Sequence, residues 1–405
     1  MVARVLTLLC LALALDPPAV AGSPVIFGGL PVELTISQVS DSTTRLQLVP
    51  LNEQGQPLTE APSPALVPFS VTQKFRTREL HGRSEFRAGK LRVTVEPSPL
   101  AISLRREDGS LVQRLVFAND GTNVMMFQVK APVLGLGEGG PQFDRRGHGY
   151  SLQNGERASS LALDGARVSV PFLIGTEGWA MFVAEPLGGF DLRGDRGLLR
   201  RPSGAPLGPV DVFVTDAREP VNAMREFTRL TGAPVLPPKW ALGYMQSHRT
   251  LASESDLLKE ARTFRERKLP CDAFIFLGTG FCPAGWNLGH DSFAFNTNVF
   301  VHDPATVVKE LHAENLRVVL HVVPLESNYP ALHGEIPPVP GEILNQQDIG
   351  SYWNRHRALF AAGVDGWWPD EGDWFDVPSR LERHRLYYEG PLSDRPNQRP
   401  WNLQR

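Results

Sequence analysis

Cysteine is scarce in this chain, which holds three cysteines among 405 residues. Cys10 lies in an apolar leader, so Cys271 and Cys282 are left, and they form no CxxC motif. Two cysteines cannot build the disulfide framework of a small secreted domain, and whether they pair stays open. The ten histidines show no HExxH or similar spacing. The sequence therefore predicts no metal site and no cofactor.

The sequence also lacks long runs of basic residues and long runs of apolar residues. Lys and Arg number 41 against 44 Asp and Glu, for a net charge of -3. No basic block forms a stripe for phosphate backbones, which argues against a nucleic-acid partner. The longest apolar run, residues 5–15, is shorter than the about 20 residues of a membrane span. We expect no membrane span.

The N-terminus has the three parts of a secretory signal. Arg4 supplies the positive charge, residues 5–15 the apolar segment, and Ala19-Val20-Ala21 a small-x-small cleavage site. The sequence therefore predicts a signal peptide over residues 1–21 and a secreted or periplasmic protein.

The first half alternates apolar and polar residues, as in segments 32–36, 91–95 and 210–214. Period two with one buried face predicts antiparallel strands, and hence an N-terminal β-sandwich over residues 22–216. Residues 217–238 are predicted to be a connecting helix and linker, with Pro220 in the first turn. The expected apolar face of this helix consists of Val221, Met224, Phe227 and Leu230.

The second half changes period. Apolar runs of strand length now alternate with helical patterns; the runs are residues 240–245, 273–277, 316–323 and 364–368. This alternation is typical of βα units on a parallel sheet. Four units form half of a (β/α)₈ barrel, whose usual length is about 250 residues. We therefore predict a multi-domain fold, with the β-sandwich followed by an incomplete (β/α)₈ TIM barrel over residues 239–405.

Asp370 is the candidate catalytic residue, because it follows the fourth predicted strand. The rim at the carboxyl ends of barrel strands is where catalytic groups lie. Neighbouring carboxylates at Glu371 and Asp373, and indoles at Trp368 and Trp374, are able to shift the pKa of one carboxyl group here.

Four motifs then resemble glycoside hydrolase family 31. In segment 363–374, Trp368 and Asp370 match the tryptophan and nucleophilic aspartate of the family's nucleophile motif. Segment 237–244 is similar to the family's barrel entry, segment 135–138 to its GLGE turn, and segment 399–405 to its RPF-x-L-x-R strand. The resemblance implies cleavage of α-glycosides with retention, a carbohydrate substrate and no cofactor.

The resemblance implies that Asp370 is the nucleophile, and we expect a pocket lined by Trp368, Glu371, Trp286, His248 and Arg249. Trp286 with Asn287, or His248 with Arg249, is the expected replacement for a family aspartate that this chain lacks. Glucose-cleaving members have an aspartate after the second strand, but no carboxylate lies between Asp272 and Asp291 here. Ordinary α-glucosidase activity is therefore not expected, and the sugar stays open.

The family's acid/base aspartate comes from a later strand, beyond the motif that Arg405 ends. The resemblance therefore implies a chain truncated at its C-terminus. The alternative function is a truncated, catalytically inactive chain that binds carbohydrate. The oligomeric state stays open.

Overall fold

The computed structural model describes residues 22–59, 63–119, 124–139, 142–152, 168–184, 188–201, 208–248, 253–276, 295, 299–322, 346–369 and 377–404. These residues form two compact units, which divide between Ala233 and Pro234. The predicted signal peptide, residues 1–21, lies outside the described residues.

Antiparallel strands dominate the first unit, as its alternating sequence predicts. Its described strands are β1 (Ser23–Pro24), β2 (Ile26–Phe27), β3 (Leu30–Gln38), β4 (Thr43–Pro50), β5 (Thr72–Thr77), β6 (Glu79–Leu80), β7 (Ser84–Ala88), β8 (Leu91–Pro97), β9 (Leu100–Arg105), β10 (Leu111–Phe117), β11 (Val124–Gln128), β12 (Val133–Gly135), β13 (Gly149–Ser151), β14 (Phe172–Gly175), β15 (Trp179–Val183), β16 (Gly189–Asp191), β17 (Arg196–Arg200) and β18 (Val210–Asp216). Helix α1 (Pro220–Thr231) follows them.

Two large sheets share one core in this unit. The first has the order β13-β16-β17-β11-β10-β9-β8-β7, and the second has the order β12-β14-β15-β18-β4-β3-β2 with β5 beside β3. Leu34 and Ile36 of the second sheet lie in the same buried cluster as Val93 and Leu115 of the first. Two antiparallel sheets that bury facing side chains form a β-sandwich.

Helix α1 packs on the outer face of the second sheet, where Phe227 stacks on Phe172 with ring centroids 4.3 Å apart. The predicted apolar face is partly wrong, because Val221 and Met224 are 62% and 50% exposed. The buried face instead includes Glu226, whose carboxylate accepts hydrogen bonds from Thr43 and Arg229 at 2.9 and 3.3 Å. A hydrophobic pattern cannot reveal a buried carboxylate that has a partner on a distant strand.

The second unit alternates strands and helices. A short 3₁₀ helix (Lys239–Leu242) is followed by β19 (Met245–His248), α2 (Glu254–Glu266), β20 (Ala273–Phe276), α3 (Pro304–Ala313), β21 (Arg317–Val322), α4 (Gln346–Ala361), β22 (Gly366–Pro369) and α5 (Val377–Asp394). The four strands form a parallel sheet in the order β19-β20-β21-β22.

The first strand of this sheet begins later than predicted. Segment 240–245 was expected to be a strand, but residues Lys239–Leu242 form the 3₁₀ helix and β19 starts at Met245. Pro238 explains the difference, because its fixed φ favours a turn and its carbonyl accepts a 3.0 Å hydrogen bond from the Ala241 amide. Leu242 is consequently 74% exposed.

The helices of the second unit cover one face of the parallel sheet. Their buried residues and the residues of that face make one cluster, which includes Leu257, Leu311, Phe360 and Tyr387 with Phe274, Leu320 and Trp367. Parallel strands with covering helices are common to open α/β sheets and to (β/α)₈ barrels. The incomplete barrel therefore remains a prediction.

Candidate active site

The carboxyl ends of the four parallel strands meet at one edge of the sheet. His248 is the last residue of β19 and pairs in register with Phe276, the last residue of β20. Val322 ends β21 and pairs with Pro369, the last residue of β22. Binding and catalytic groups of parallel α/β folds collect at this edge.

The paired tryptophans of β22 lie on opposite faces of the sheet, because successive side chains of a strand alternate. Trp367 is fully buried in the cluster beneath the helices. Trp368 instead packs against a smaller cluster of Ala273, Ile275 and Val319 on the other face. The tryptophan of the nucleophile motif thus lies on the face opposite the one that the described α-helices cover.

A histidine that the sequence analysis missed lies beside Trp368. His321 of β21 is in register with Trp368, and their ring centroids are 4.8 Å apart at an interplanar angle of 73°. His321 is only 2% exposed. Its signal in the sequence is weak, since it is one polar residue inside the apolar strand Arg317–Val322.

The C-terminal segment continues the sheet beyond β22. Asn402 forms a parallel bridge with Trp367, and the Leu403 amide donates to the Trp367 carbonyl at 2.9 Å. The indole of Trp401 lies close to Gly366, where an added Cβ would be 2.8 Å from the Trp401 ring. Glycine at position 366 is therefore what allows this segment to lie against β22.

The carboxylate of Asp365 lies at the opposite edge of the same sheet. It accepts hydrogen bonds from His312 at 2.7 Å, from Arg317 at 3.2 Å and from the Val318 amide at 2.9 Å. These contacts tie β22 to β21 and α3. Asp365 is therefore a structural carboxylate, remote in the sheet from the carboxyl-end edge.

Glu254, at the start of α2, is hydrogen-bonded to His302, which lies between β20 and α3. Glu254 accepts hydrogen bonds from the Nδ1 atom and the backbone amide of His302, the latter at 3.2 Å. Burial raises the pKa of Glu254, but the bonds from His302 outweigh it, so the net pKa lies below 4.5. The hydrogen bond to Glu254 raises the pKa of His302 above 6.5.

The GLGE turn lies in the first unit and has an unusual backbone. Leu136 has a positive φ of 61°, and an added Cβ at Gly137 would be 1.8 Å from the Val168 carbonyl oxygen. The buried guanidinium of Arg145 donates to the carbonyls of Gly135, Gly137 and Gly139 at 2.9, 3.1 and 2.8 Å. One arginine thus holds the turn in a conformation that non-glycine residues rarely adopt.

Only part of the predicted site lies within the described residues. Trp368 and the backbone of His248 are described, and both belong to the carboxyl-terminal ends of their strands. Asp370, Glu371, Trp286 and Arg249 lie outside the described residues, as does Cys282, while Cys271 is a buried free thiol.

Among the described residues, no group of three or more His, Cys, Asp or Glu side chains is arranged to hold a metal ion. No helix in the described part of the chain has both the length and the apolar character that crossing a membrane requires.

Comparisons with known proteins support the same fold. Residues 234–391 match the model of the glycosyl hydrolases family 31 TIM-barrel domain. An α-xylosidase of Saccharolobus solfataricus is 22% identical over 233 residues, covering 55% of this chain and 31% of the relative. Alpha-glucosidase 2 of Bacillus thermoamyloliquefaciens is 33% identical over 118 residues, covering 29% of this chain and 14% of the relative. The chain thus matches a third or less of the length of these two relatives.

Solved structures extend the likeness to nearly the whole chain. A family 31 dextranase of Flavobacterium johnsoniae, complexed with isomaltotriose, has a TM-score of 0.74 at 17% identity, covering 93% of this chain and 52% of the dextranase. A family 31 α-xylosidase from a soil metagenome, complexed with xylose, has a TM-score of 0.68 at 15% identity. The match covers 93% of this chain and 64% of the xylosidase. The resemblance to glycoside hydrolase family 31 that the sequence motifs indicate is therefore confirmed, and residues 234–391 carry its barrel-domain signature.

Proposed function

We propose that the protein is a hydrolase of α-linked glycosides that retains the anomeric configuration, with Asp370 as its nucleophile. The observation that carries the proposal is the geometry of β22. Trp368 lies at the carboxyl-end edge, on the face opposite the one that the described α-helices cover, and Asp370 follows Pro369 directly in the sequence. The match of residues 234–391 to the family 31 barrel domain supports the same reaction.

The proposed chemistry needs two carboxyl groups about 5 Å apart. The Asp370 carboxylate attacks the anomeric carbon, and a glycosyl-aspartate ester forms while the bond to the leaving oxygen breaks. A carboxylic acid gives its proton to that oxygen. As a carboxylate it then takes a proton from water, which attacks the anomeric carbon and releases Asp370. We assign no residue of this chain to the acid/base role.

We further propose that Trp368, Glu371, Trp286, His248 and Arg249 line the sugar pocket. Indole faces suit the apolar faces of sugar rings. The absence of carboxylates between Asp272 and Asp291 leaves hydroxyl recognition to neutral and basic groups in this part of the pocket. The relatives include α-xylosidases and an α-glucosidase, so both sugars belong in the first substrate panel.

We also propose the domain boundaries that the sequence predicts. Residues 22–216 are a β-sandwich, residues 217–238 a connecting helix and linker, and residues 239–405 the first half of a (β/α)₈ barrel. We also propose that residues 1–21 direct export and are removed. Mapping the N-terminus of the natural protein tests this last proposal, because export predicts a mature chain that starts at Gly22.

The reaction is tested with aryl α-glycosides that have a good leaving group, since these need little acid assistance for the first step. The panel comprises aryl α-xyloside, α-glucoside and α-galactoside. Wild-type protein is expected to turn over at least one, and Asp370→Asn to turn over none. Asp365→Asn is the matched control, because it removes a carboxylate at the opposite edge of the same sheet and should leave the turnover of the folded variant unchanged.

Full activity of Asp370→Asn would overturn the assignment of the nucleophile. Binding of a sugar without turnover by the wild-type protein would favour the alternative, a chain that binds carbohydrate and cleaves nothing.

A further inference from the structure

A cleft in the first unit shares none of its described lining residues with the proposed catalytic site. It has a volume of about 450 Å³ and is lined by residues of β13, β16 and β17 and the chain beside them. Its lining residues within the described part of the chain all belong to the first unit. Small-molecule sites commonly occupy about 300 to 1,000 Å³. The cleft is therefore large enough for a small ligand.

Strand alternation fixes which side chains face the cleft. Tyr150, Phe190 and Leu199 are neighbours in register and point into the core of the sandwich. The residues that alternate with them along the strands, including Gly149 and Asp191, consequently face outward from the sandwich. The floor of the cleft is thus backbone, and its walls are long charged side chains.

Gly149 and Gly189 both form part of the floor, but only one of these positions requires glycine for packing. At Gly189, an added Cβ would be 2.7 Å from the Tyr150 carbonyl oxygen, so the neighbouring strand requires glycine. At Gly149, the nearest atom to an added Cβ is the Phe190 carbonyl oxygen at 3.9 Å. Packing does not require glycine at position 149. A side chain there would instead occupy the space of the cleft.

The walls carry an excess of positive charge, with Arg193, Arg200 and Arg201 against one carboxylate, Asp191. Asp191 accepts two hydrogen bonds from the guanidinium of Arg193, at 2.9 and 2.7 Å. Arg201 donates to the Pro209 carbonyl. Arg200 makes no side-chain hydrogen bond and no close ion pair with the described residues, although its charge, after the bonds from Arg193, helps to lower the pKa of Asp191. Its guanidinium is therefore available to a ligand.

We propose that this cleft binds an oxyanion carried on a saccharide, either the carboxylate of a uronic acid or a sulfate ester, with Arg200 as its main partner. Arginine suits such groups because its planar fork of N–H donors matches two oxygens of an oxyanion at once. Gly149 leaves room for the sugar ring on the floor. The saccharide as carrier rests on the proposed function, whereas recognition of the oxyanion rests on the cleft alone.

Isothermal titration calorimetry on the full chain tests the proposal with three probes: digalacturonate, inorganic sulfate and neutral maltose. Arg200→Gln removes the main partner. Arg196→Gln is its matched control, because it removes the same charge from the same strand outside the cleft. Gly149→Leu fills the cleft, and the φ of Gly149 is not positive, so the side chain brings no backbone strain.

Digalacturonate is expected to bind, and Arg200→Gln to weaken its binding by at least about tenfold. Gly149→Leu is expected to weaken it similarly, and Arg196→Gln by less than twofold. A second outcome is that sulfate binds, that Arg200→Gln weakens its binding by the same factor, and that digalacturonate does not bind. This outcome would support the oxyanion site, with a free anion as its ligand.

Equal binding of digalacturonate and maltose would overturn the proposal. Equal losses in Arg200→Gln and Arg196→Gln would also overturn it, because they would indicate general charge attraction. Turnover of aryl α-glycosides is measured on the same variants. Because Arg200 lies outside the proposed catalytic site, turnover should be unchanged in Arg200→Gln, and so a failure of the cleft proposal is distinguishable from a failure of the proposed function.

Discussion

The imidazole of His321 lies edge-on to the indole of Trp368, with ring centroids 4.8 Å apart. The two residues are neighbours in register at the carboxyl-end edge of the parallel sheet. A T-shaped pair of this kind contributes about 0.5 to 1.5 kcal/mol beyond its buried area. His321 therefore helps to hold the indole that precedes Asp370 by two residues in the sequence.

The first prediction concerns this contact. His321→Ala should lower kcat/KM for the best aryl α-glycoside by about threefold to tenfold, which corresponds to loss of the ring contact. His321→Phe keeps a ring against Trp368 and should stay within about threefold of wild type. Steady-state kinetics measure both. If the two variants lose activity equally, His321 acts through its nitrogen atoms and not as packing for Trp368.

The second prediction separates the two tryptophans of β22. Trp367 is fully buried among the helices, so Trp367→Ala should lower the free energy of unfolding by about 3 to 5 kcal/mol. Trp368 is only partly buried. Trp368→Ala should therefore lower the free energy of unfolding by less than half as much as Trp367→Ala does, but should reduce kcat/KM more strongly. Urea unfolding and kinetics on both variants test this. A larger stability loss in Trp368→Ala would contradict the assignment of faces.

The third prediction separates two aspartates that lie five positions apart in the sequence. Asp365 accepts three hydrogen bonds, so Asp365→Ala should lower the free energy of unfolding by about 2 kcal/mol. The folded variant should keep its turnover. Asp370→Asn should behave in the opposite way, with near wild-type stability and turnover reduced by at least about a thousandfold. Turnover lost in both variants to the same degree would indicate that stability, not chemistry, explains the effect.

The fourth prediction concerns pH and the pair of Glu254 and His302. The raised pKa of His302 gives stability that is full below its ordinary value of 6.5 and is lost as the pH rises through the folded-state pKa. The lowered pKa of Glu254 gives stability that is present above 4.5 and is lost as the pH falls through the folded-state pKa. The pair should therefore stabilise the fold most between pH 4.5 and 6.5.

Urea unfolding of wild type and His302→Gln at several pH values measures this contribution. The difference between them should be largest near the middle of that window and should shrink in alkaline buffer. In a Glu254→Gln background, His302→Gln should have little further effect, because its partner is already gone. A difference that does not vary with pH would show that the pair contributes only as a neutral hydrogen bond.

Local signals in the sequence account for part of the fold. The side chain of Ser253 caps α2 and that of Asp303 caps α3, and each accepts a hydrogen bond from a backbone amide. Capping depends on residues within one helical turn, so a single sequence is enough to reveal it. The alternation in β3, β8 and β18 likewise marks the residues of each strand that enter the sandwich core, such as Leu34, Val93 and Val212. It does not reveal that the other face of β18 is also buried, at Phe213 beneath α1.

Other features depend on contacts that lie far apart in the sequence. Glu226 is buried because it accepts a hydrogen bond from Thr43, which is 183 positions away. The hydrophobic pattern consequently predicts Val221 and Met224 on the inward face of α1, and both are exposed. His321 was missed for a similar reason, since its neighbour Trp368 belongs to another strand. The roles of Asp370 and Trp286 came from the motif resemblance and stay predictions.

Covalent trapping of the nucleophile tests the central claim most directly. A 5-fluoro-glycosyl fluoride of α configuration carries a leaving group that needs no acid, and its fluorine atom slows the hydrolysis of the glycosyl-enzyme. The protein is incubated with the xylosyl and glucosyl versions, digested and mapped by mass spectrometry. The account predicts one added glycosyl group, on Asp370. A group found on Glu371, Asp373 or any other residue, or no labelling while an aryl α-glycoside is turned over, would contradict it.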